Sequence, residues 1–483
     1  MVGDACRRAG GDVTASYPAL PHQRAPQDWD GPTPPIGLRR YTEEPPKPRS
    51  STVFRAAVVV ALAVLLLAPA GAIAFATVRM ERSTVVSGQG LAGAGGRDTG
   101  GRPGAQAERP GTAGATANPP PTGVDGRIRK ALTDQADALL GGDEDGFLRA
   151  VDPSAGGLRE DLARRFGSLR QLQVKIWQPA VEARAKTEAG GTASATVLVK
   201  YCFVVTTCDP MSLEADTRWK VAGQSVTLLE FSVAKDLGPR PWEVSELRAQ
   251  VGDRVVMATT AKYASRLPSM LAAAEQAAAL TDTFARWGPP PARYVVYLAG
   301  PDEWSKWYGM RQEAWVAGFA LPLTASATEI VLNAARVDTK QTLDVLRHEF
   351  THVVTLAGVE KAYEHTWWLV EGIAEYVRVK GSGKAFDQMG DVRAYLRSGH
   401  WKGDIALDDP PEGASTADVS GRYGVAYLSL QHLADRFGED RLLDFFDATV
   451  RQGHPLDDSA RQAFSMSWED VQADCVRYVR GRN

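Results

Sequence analysis

The hydrophobic pattern divides the chain into stretches of different period. Residues 1–53 show neither a helical nor a strand period, and Pro34-Pro35 and Pro45-Pro46 interrupt any helix, so this segment reads as disordered. Ala56 to Val78 is a 23-residue run without a charge, including Val58-Val59-Val60 and Leu65-Leu66-Leu67. At about 1.5 Å per residue it can span the roughly 30 Å hydrocarbon core of a bilayer, where a single proline such as Pro69 is tolerated. We expect a transmembrane signal anchor over 54–78, followed by a flexible Gly/Ala/Pro-rich linker over 79–125. Helical periods return at Ile128–Leu140 and Leu158–Leu172. Strand-like runs follow at Leu172–Ile176, Ala193–Phe203, Arg218–Val221 and Val226–Val233, outlining an α+β domain over 126–252. A further domain, 253–483, reads as mainly helical with a small sheet. It opens on a long helical run from Val255 to Trp287, then a strand at Tyr294–Leu298 and an aromatic loop (Trp304, Trp307, Tyr308). A strand at Glu329–Asn333 precedes a helix from Thr342 to Ala357, which Gly358 is placed to end, and another helix covers Val425 to Phe437.

Charge adds orientation. Arg39, Arg40, Lys47, Arg49 and Arg55 precede the apolar run, while only Arg79 and Arg82 closely follow it. The positive-inside rule then leaves the N-terminus in the cytoplasm and the bulk of the chain outside it, as a single-pass protein of the cell membrane held through residues 56–78. The 55 basic and 58 acidic residues give a net charge of -3, which offers no basic excess for a nucleic-acid partner. Of the four cysteines, Cys6, Cys202, Cys208 and Cys475, none has the paired spacing of a thiolate zinc site. Cys202 and Cys208 are spaced to face each other across a short hairpin, either as free thiols or as a disulfide in an oxidising compartment.

The chemistry concentrates in His348-Glu349-Phe350-Thr351-His352, an H-E-x-x-H pattern within the helical period, and in Glu371, which follows after 18 intervening residues. Residues four apart lie on one helix face, so His348 and His352 can reach one zinc ion, with Glu371 from a second helix as third ligand. Glu349 points about 100° away, beside the metal, where it can take a proton from a metal-activated water. Glu375, one turn after Glu371, is placed to hydrogen-bond the His348 imidazole. His365 falls in a stretch without helical period and reads as a loop or cleft residue. Trp304, Trp307, Trp315, Trp367 and Trp368 read as core or cleft wall.

These motifs resemble those of the gluzincin zinc metallopeptidases, the peptidase MA-like group, with the ligand spacing of aminopeptidase N-like enzymes. The resemblance spans about residues 253–483 and is strongest at His348–His352 and at Trp368-Leu369-Val370-Glu371-Gly372-Ile373-Ala374-Glu375. It implies a zincin-type fold with one Zn2+ held by His348, His352 and Glu371, and Glu349 as general base. It also implies a transition-state donor, for which Tyr423 is the candidate ahead of Tyr427 and His432. Peptide or protein substrates would pair with a strand before the motif helix, either Ile330–Asn333 or Gly318–Leu321. The Gly-x-Met-Glu-Asn motif that reads a free amino terminus is absent. Element order in 126–252 resembles the cone-shaped nuclear-transport-factor-like fold, in a spacer or interaction role. The expected whole is a membrane-anchored extracytoplasmic zinc metallopeptidase. The alternative is a catalytically inactive, membrane-tethered binding or assembly protein with a peptidase fold.

Overall fold

The structure, a computed structural model, describes residues 123–233, 239–308, 316–324, 326–359, 365–383, 385–411 and 414–482. The expected disordered segment 1–53, the membrane helix 54–78, nearly all of the linker and Trp315 lie outside the described residues. Among the described residues, no helix is long and apolar enough to cross a membrane.

The chain first forms α1 (Val124–Gly141), α2 (Glu144–Leu148) and α3 (Gly156–Gln171). An antiparallel sheet follows: β1 (Val174–Val181), β2 (Lys186–Glu188), β3 (Thr192–Phe203), β4 (Met211–Ala222) and β5 (Ser225–Val233). Its order is β1-β3-β4-β5, with β2 paired to β3. β4 is far longer than Arg218–Val221. Met211, Leu213, Ala215, Thr217 and Trp219 alternate inward, while Glu214, Asp216 and Arg218 alternate outward and hide the apolar signal. Cys202, near the end of β3, is disulfide-bonded to Cys208 in the loop before β4, with Cα atoms 6.3 Å apart.

Next come α4 (Pro241–Val244), β6 (Arg248–Val251), β7 (Val255–Thr259), α5 (Leu267–Thr281), β8 (Tyr294–Ala299), α6 (Pro301–Tyr308), β9 (Gly318–Pro322) and β10 (Thr328–Asn333). The strands order as β6-β7-β8-β10-β9, with β7, β8 and β10 parallel and the outer strands antiparallel. Helices α7 (Thr342–Thr355), α8 (Trp367–Ser382), α9 (Met389–Ser398), α10 (Thr416–Phe437), α11 (Glu439–Phe446), α12 (Leu456–Phe464) and α13 (Trp468–Arg480) complete the chain.

Several expectations are corrected here. Val255–Thr259 is a strand, not the start of a long helix. All five of its side chains are buried, and a short apolar run has no period that separates a fully buried strand from a helix. The hairpin β6–β7 straddles residue 252, so a boundary drawn there falls inside one sheet. The aromatic residues Trp304, Trp307 and Tyr308 lie on α6, opened by Pro301, rather than in a loop. β10 is paired on both sides, which removes Ile330–Asn333 as a strand that could accept another and, among the described residues, leaves Gly318–Leu321 on β9 as the outer strand at that side of the sheet. α10 begins at Thr416, capped by Ser415, and not at Val425. Gly421 and Gly424, which look like loop residues in sequence, serve close packing. A Cβ on Gly421 would stand 2.2 Å from Tyr395 Cβ, and one on Gly424 would stand 2.0 Å from Val392 Cγ2, both on α9.

The second sheet is buried on both faces. Val296, Leu298, Ile330 and Leu332 pack against α5 and α7, in a core that includes Met270 and Phe350. Val295, Tyr297, Ala299 and Val331 share a second core with Tyr201, Trp219 and Trp242 from the other half of the chain. The unbroken apolar reading of β8 follows from this double burial.

One carboxylate sits in the second core. Glu329 on β10 is fully buried, and neither of its oxygens has a hydrogen-bond partner. Burial pushes it up to about 7, against the pull of Arg240; Glu243 and the Tyr297 hydroxyl also face it. A folded-state value above the ordinary 4.5 favours the protonated form. This contribution to stability is complete below the unfolded value and is lost as pH rises through about 7, on the order of 3 kcal/mol in total. Thermal unfolding of the wild type is therefore expected at lower temperature at pH 8 than at pH 6. Glu329→Gln should flatten this difference, and an unchanged pH profile in that variant would refute the assignment.

Candidate active site

The site is built from two helices. α7 carries His348, Glu349 and His352, and α8 carries Glu371 and Glu375. All five are at most 8% exposed. His348 Nε2 lies 3.2 Å from His352 Nε2 and 3.2 Å from Glu371 Oε2, and His352 Nε2 lies 3.5 Å from Glu371 Oε2. Two ligands about 2.0–2.1 Å from an ion at the tetrahedral angle stand about 3.3–3.4 Å apart. The three donor atoms thus fit one zinc-sized ion. Among the described residues they form the one group of three or more such side chains with this proximity.

The electrostatics ask for a positive charge at the same point. Burial disfavours a protonated His348, yet the carboxylates of Glu371 and Glu375 overcome it and push the ring up to about 10. Glu371 is itself buried, but the adjoining His352 and His348 hold it down at about 2. Its Oε1 has no hydrogen-bond partner. Glu375 Oε1 lies 2.9 Å from His348 Nδ1. A carboxylate only accepts, so Nδ1 carries a proton toward Glu375, and a bound cation in place of the second ring proton would leave the Nε2 lone pair facing it.

Glu349 faces a cleft of about 480 Å³ that also exposes His348, Gly318, Arg378 and Tyr423. Burial raises the Glu349 carboxyl above its ordinary value, and its Oε2 has no hydrogen-bond partner. A Cβ on Gly318 would come within 3.0 Å of Glu349 Oε1, so glycine at the start of β9 lets the edge strand approach the glutamate. Tyr423 on α10 lies with its ring centroid 6.1 Å from that of His348 and packs edge-on against Trp367 at 5.1 Å. Burial, followed by the charge of Glu371, keeps its hydroxyl protonated well beyond the usual range.

The other candidates are engaged elsewhere. Tyr427 stacks on Phe386 and donates to Gln431, and His432 pairs with Asp474 at 2.8 Å. His365 is exposed and pairs with Asp408 at 2.8 Å. Trp368 is fully buried in the core. Sequence reasoning missed Arg378, which donates to Glu375 from one turn further along α8. An arginine seven residues after the third candidate ligand is a weak signal without the helix register.

Residues 321–394, from the end of β9 to α9, match the family model described as peptidase of plants and bacteria. That stretch contains His348, Glu349, His352, Glu371 and Glu375. No curated protein matches the chain. Among solved structures, an M1 zinc metallopeptidase from Deinococcus radiodurans aligns at 17% identity and a TM-score of 0.28, covering 61% of this chain and 62% of that one. Native yeast LTA4 hydrolase aligns at 10% identity and a TM-score of 0.33, covering 62% of this chain and 66% of that one. This chain thus spans less than two thirds of the length of either. At these scores the alignments carry no weight beside the local geometry.

The donor triangle predicts one tightly bound divalent ion per chain, measurable by metal analysis after dialysis. Replacing His352 or Glu371 with alanine should weaken zinc binding by at least about 100-fold. Retention of equimolar metal in both variants would show that the ion sits elsewhere.

Proposed function

We propose that the chain is a zinc-dependent peptidase in which His348, His352 and Glu371 hold one ion. The observation that carries this reading is the buried triangle of donors beside an unpartnered Glu349 that opens onto a cleft. When bound, zinc would polarise the scissile carbonyl and lower the pKa of a coordinated water toward about 7.

The remaining work falls to the chain's own side chains. Glu349 takes the proton of the attacking water and returns it to the leaving amine. Its burial-raised pKa brings it nearer to the water it must deprotonate, which general-base catalysis favours. Tyr423 stays protonated and donates a hydrogen bond to the carbonyl oxygen as charge develops on it. Substrate lies extended along β9 at Gly318–Leu321, which among the described residues is paired on one side only and so could take a further strand. The intact set of ligands and base favours turnover over a purely binding role.

We extend the proposal to the protein's setting. The uncharged run 56–78 and the arginines and lysine before it support a single membrane anchor with the peptidase domain outside the cytoplasm. The Cys202–Cys208 disulfide fits an oxidising compartment. The 126–252 segment then acts as a rigid spacer, supported by the apolar core it shares with the back of the second sheet.

In assays of the full chain against a peptide library, Glu349→Gln should keep its zinc and lose about 10³-fold or more in kcat. Tyr423→Phe should lose about 10²-fold in kcat with KM little changed. A metal-loaded wild type that cleaves no peptide in the library would overturn the enzymatic reading.

A further inference from the structure

We infer that Arg378 is a positioning residue for the metal site, holding Glu375 so that Glu375 in turn holds His348; this rests on the zinc reading above. Glu371, Glu375 and Arg378 fall at positions i, i+4 and i+7 of α8 and share one helix face. The two oxygens of Glu375 are divided between two partners. Oε1 meets His348 Nδ1 at 2.9 Å, and Oε2 accepts from Arg378 Nε at 2.9 Å and from Nη2 at 2.7 Å. Nη2 also donates to Asp387 Oδ1 at 3.0 Å.

The terminal torsion of a glutamate is broad, and so is that of a histidine ring. Two donors on Oε2 fix the plane of the Glu375 carboxylate and therefore where Oε1 points. Oε1 in turn sets the rotation of the His348 ring, and with it the direction of the Nε2 lone pair. Arg378 suits this task because its planar fork can place two N–H groups on one oxygen while a third reaches Asp387. A lysine at this position keeps the charge but not that geometry. Arg378 is itself only 9% exposed, and its guanidinium packs over the Phe386 ring, with Cζ 5.5 Å from the centroid, so it has little freedom to leave. Asp387 is the solvent end of the chain, with its side chain 67% exposed, and its hold on Arg378 is correspondingly weaker.

A purely structural ion pair would stabilise the apoprotein and leave the metal untouched; a positioning pair changes the metal site itself. The test compares Arg378→Gln, Arg378→Lys and Asp387→Asn in the full chain. Zinc affinity is read by competition with a chromogenic chelator, ligand geometry by the visible spectrum of the Co2+-loaded protein, and apoprotein stability by thermal unfolding. Arg378→Gln is expected to bind zinc about 10–100-fold more weakly and to alter the cobalt spectrum, Arg378→Lys to bind about 3–10-fold more weakly, and Asp387→Asn to stay within about threefold of wild type. Zinc affinity within about twofold of wild type in Arg378→Gln, with the cobalt spectrum unchanged, overturns the proposal. So does a weakening fully accounted for by lost apoprotein stability. Should Arg378→Gln fail to fold, Arg378→Lys decides, and affinity within about twofold of wild type overturns it equally. A wild type that binds neither zinc nor cobalt refutes the reading of the site and not the role of Arg378 alone.

Discussion

Six ionisable side chains, His348, Glu349, His352, Glu371, Glu375 and Arg378, lie in the seam between α7 and α8, none more than 9% exposed. Taking so many charges out of water is costly unless each finds a partner. Five of them do so in one continuous chain, from Arg378 through Glu375, His348 and Glu371 to His352. Glu349 is the exception, and its unpartnered oxygen lies beside the cleft. The seam holds this arrangement only because apolar residues lock both helices in place. Phe350 stacks on Tyr294 of β8 with ring centroids 4.0 Å apart, and Trp368 and Ile373 are fully buried. Polar residues on one face of each helix form the candidate site while apolar residues on the other faces hold the register.

That register depends on the second sheet, and the sheet depends on the first half of the chain. One face of β8 and β10 supports α7, while the other shares its core with residues from β3, β4 and α4. Stripped of that cover, the sheet would expose a broad apolar face, so the two halves work as one support. β9 closes the arrangement at the cleft, where Gly318 brings the strand edge against Glu349.

Much of this was legible from the chain alone. Where apolar residues repeat at a helical period over several turns, as in α1, α3 and α7, the expected helices lie within two to four residues of the observed ones. The H-E-x-x-H spacing implies two imidazoles on one face, and they stand together as helix geometry requires. Legibility failed where burial or close packing overrode local pattern. Double burial erased the strand period of β7, outward charges masked the first half of β4, and the glycines that let α9 approach α10 looked like a loop.

The sequence by itself determined the identity of the donors, their order and the two helices that carry them, because side-chain periodicity in a helix is a local property. Only the tertiary structure decided that Glu371 meets both histidines within 3.5 Å, that Glu375 turns an oxygen to His348, and that, among the described residues, β9 and not β10 is an outer strand. Those are distances between segments far apart in the chain. They are set by how α8 packs on α7 and by the order in which the strands pair, and no local pattern encodes either.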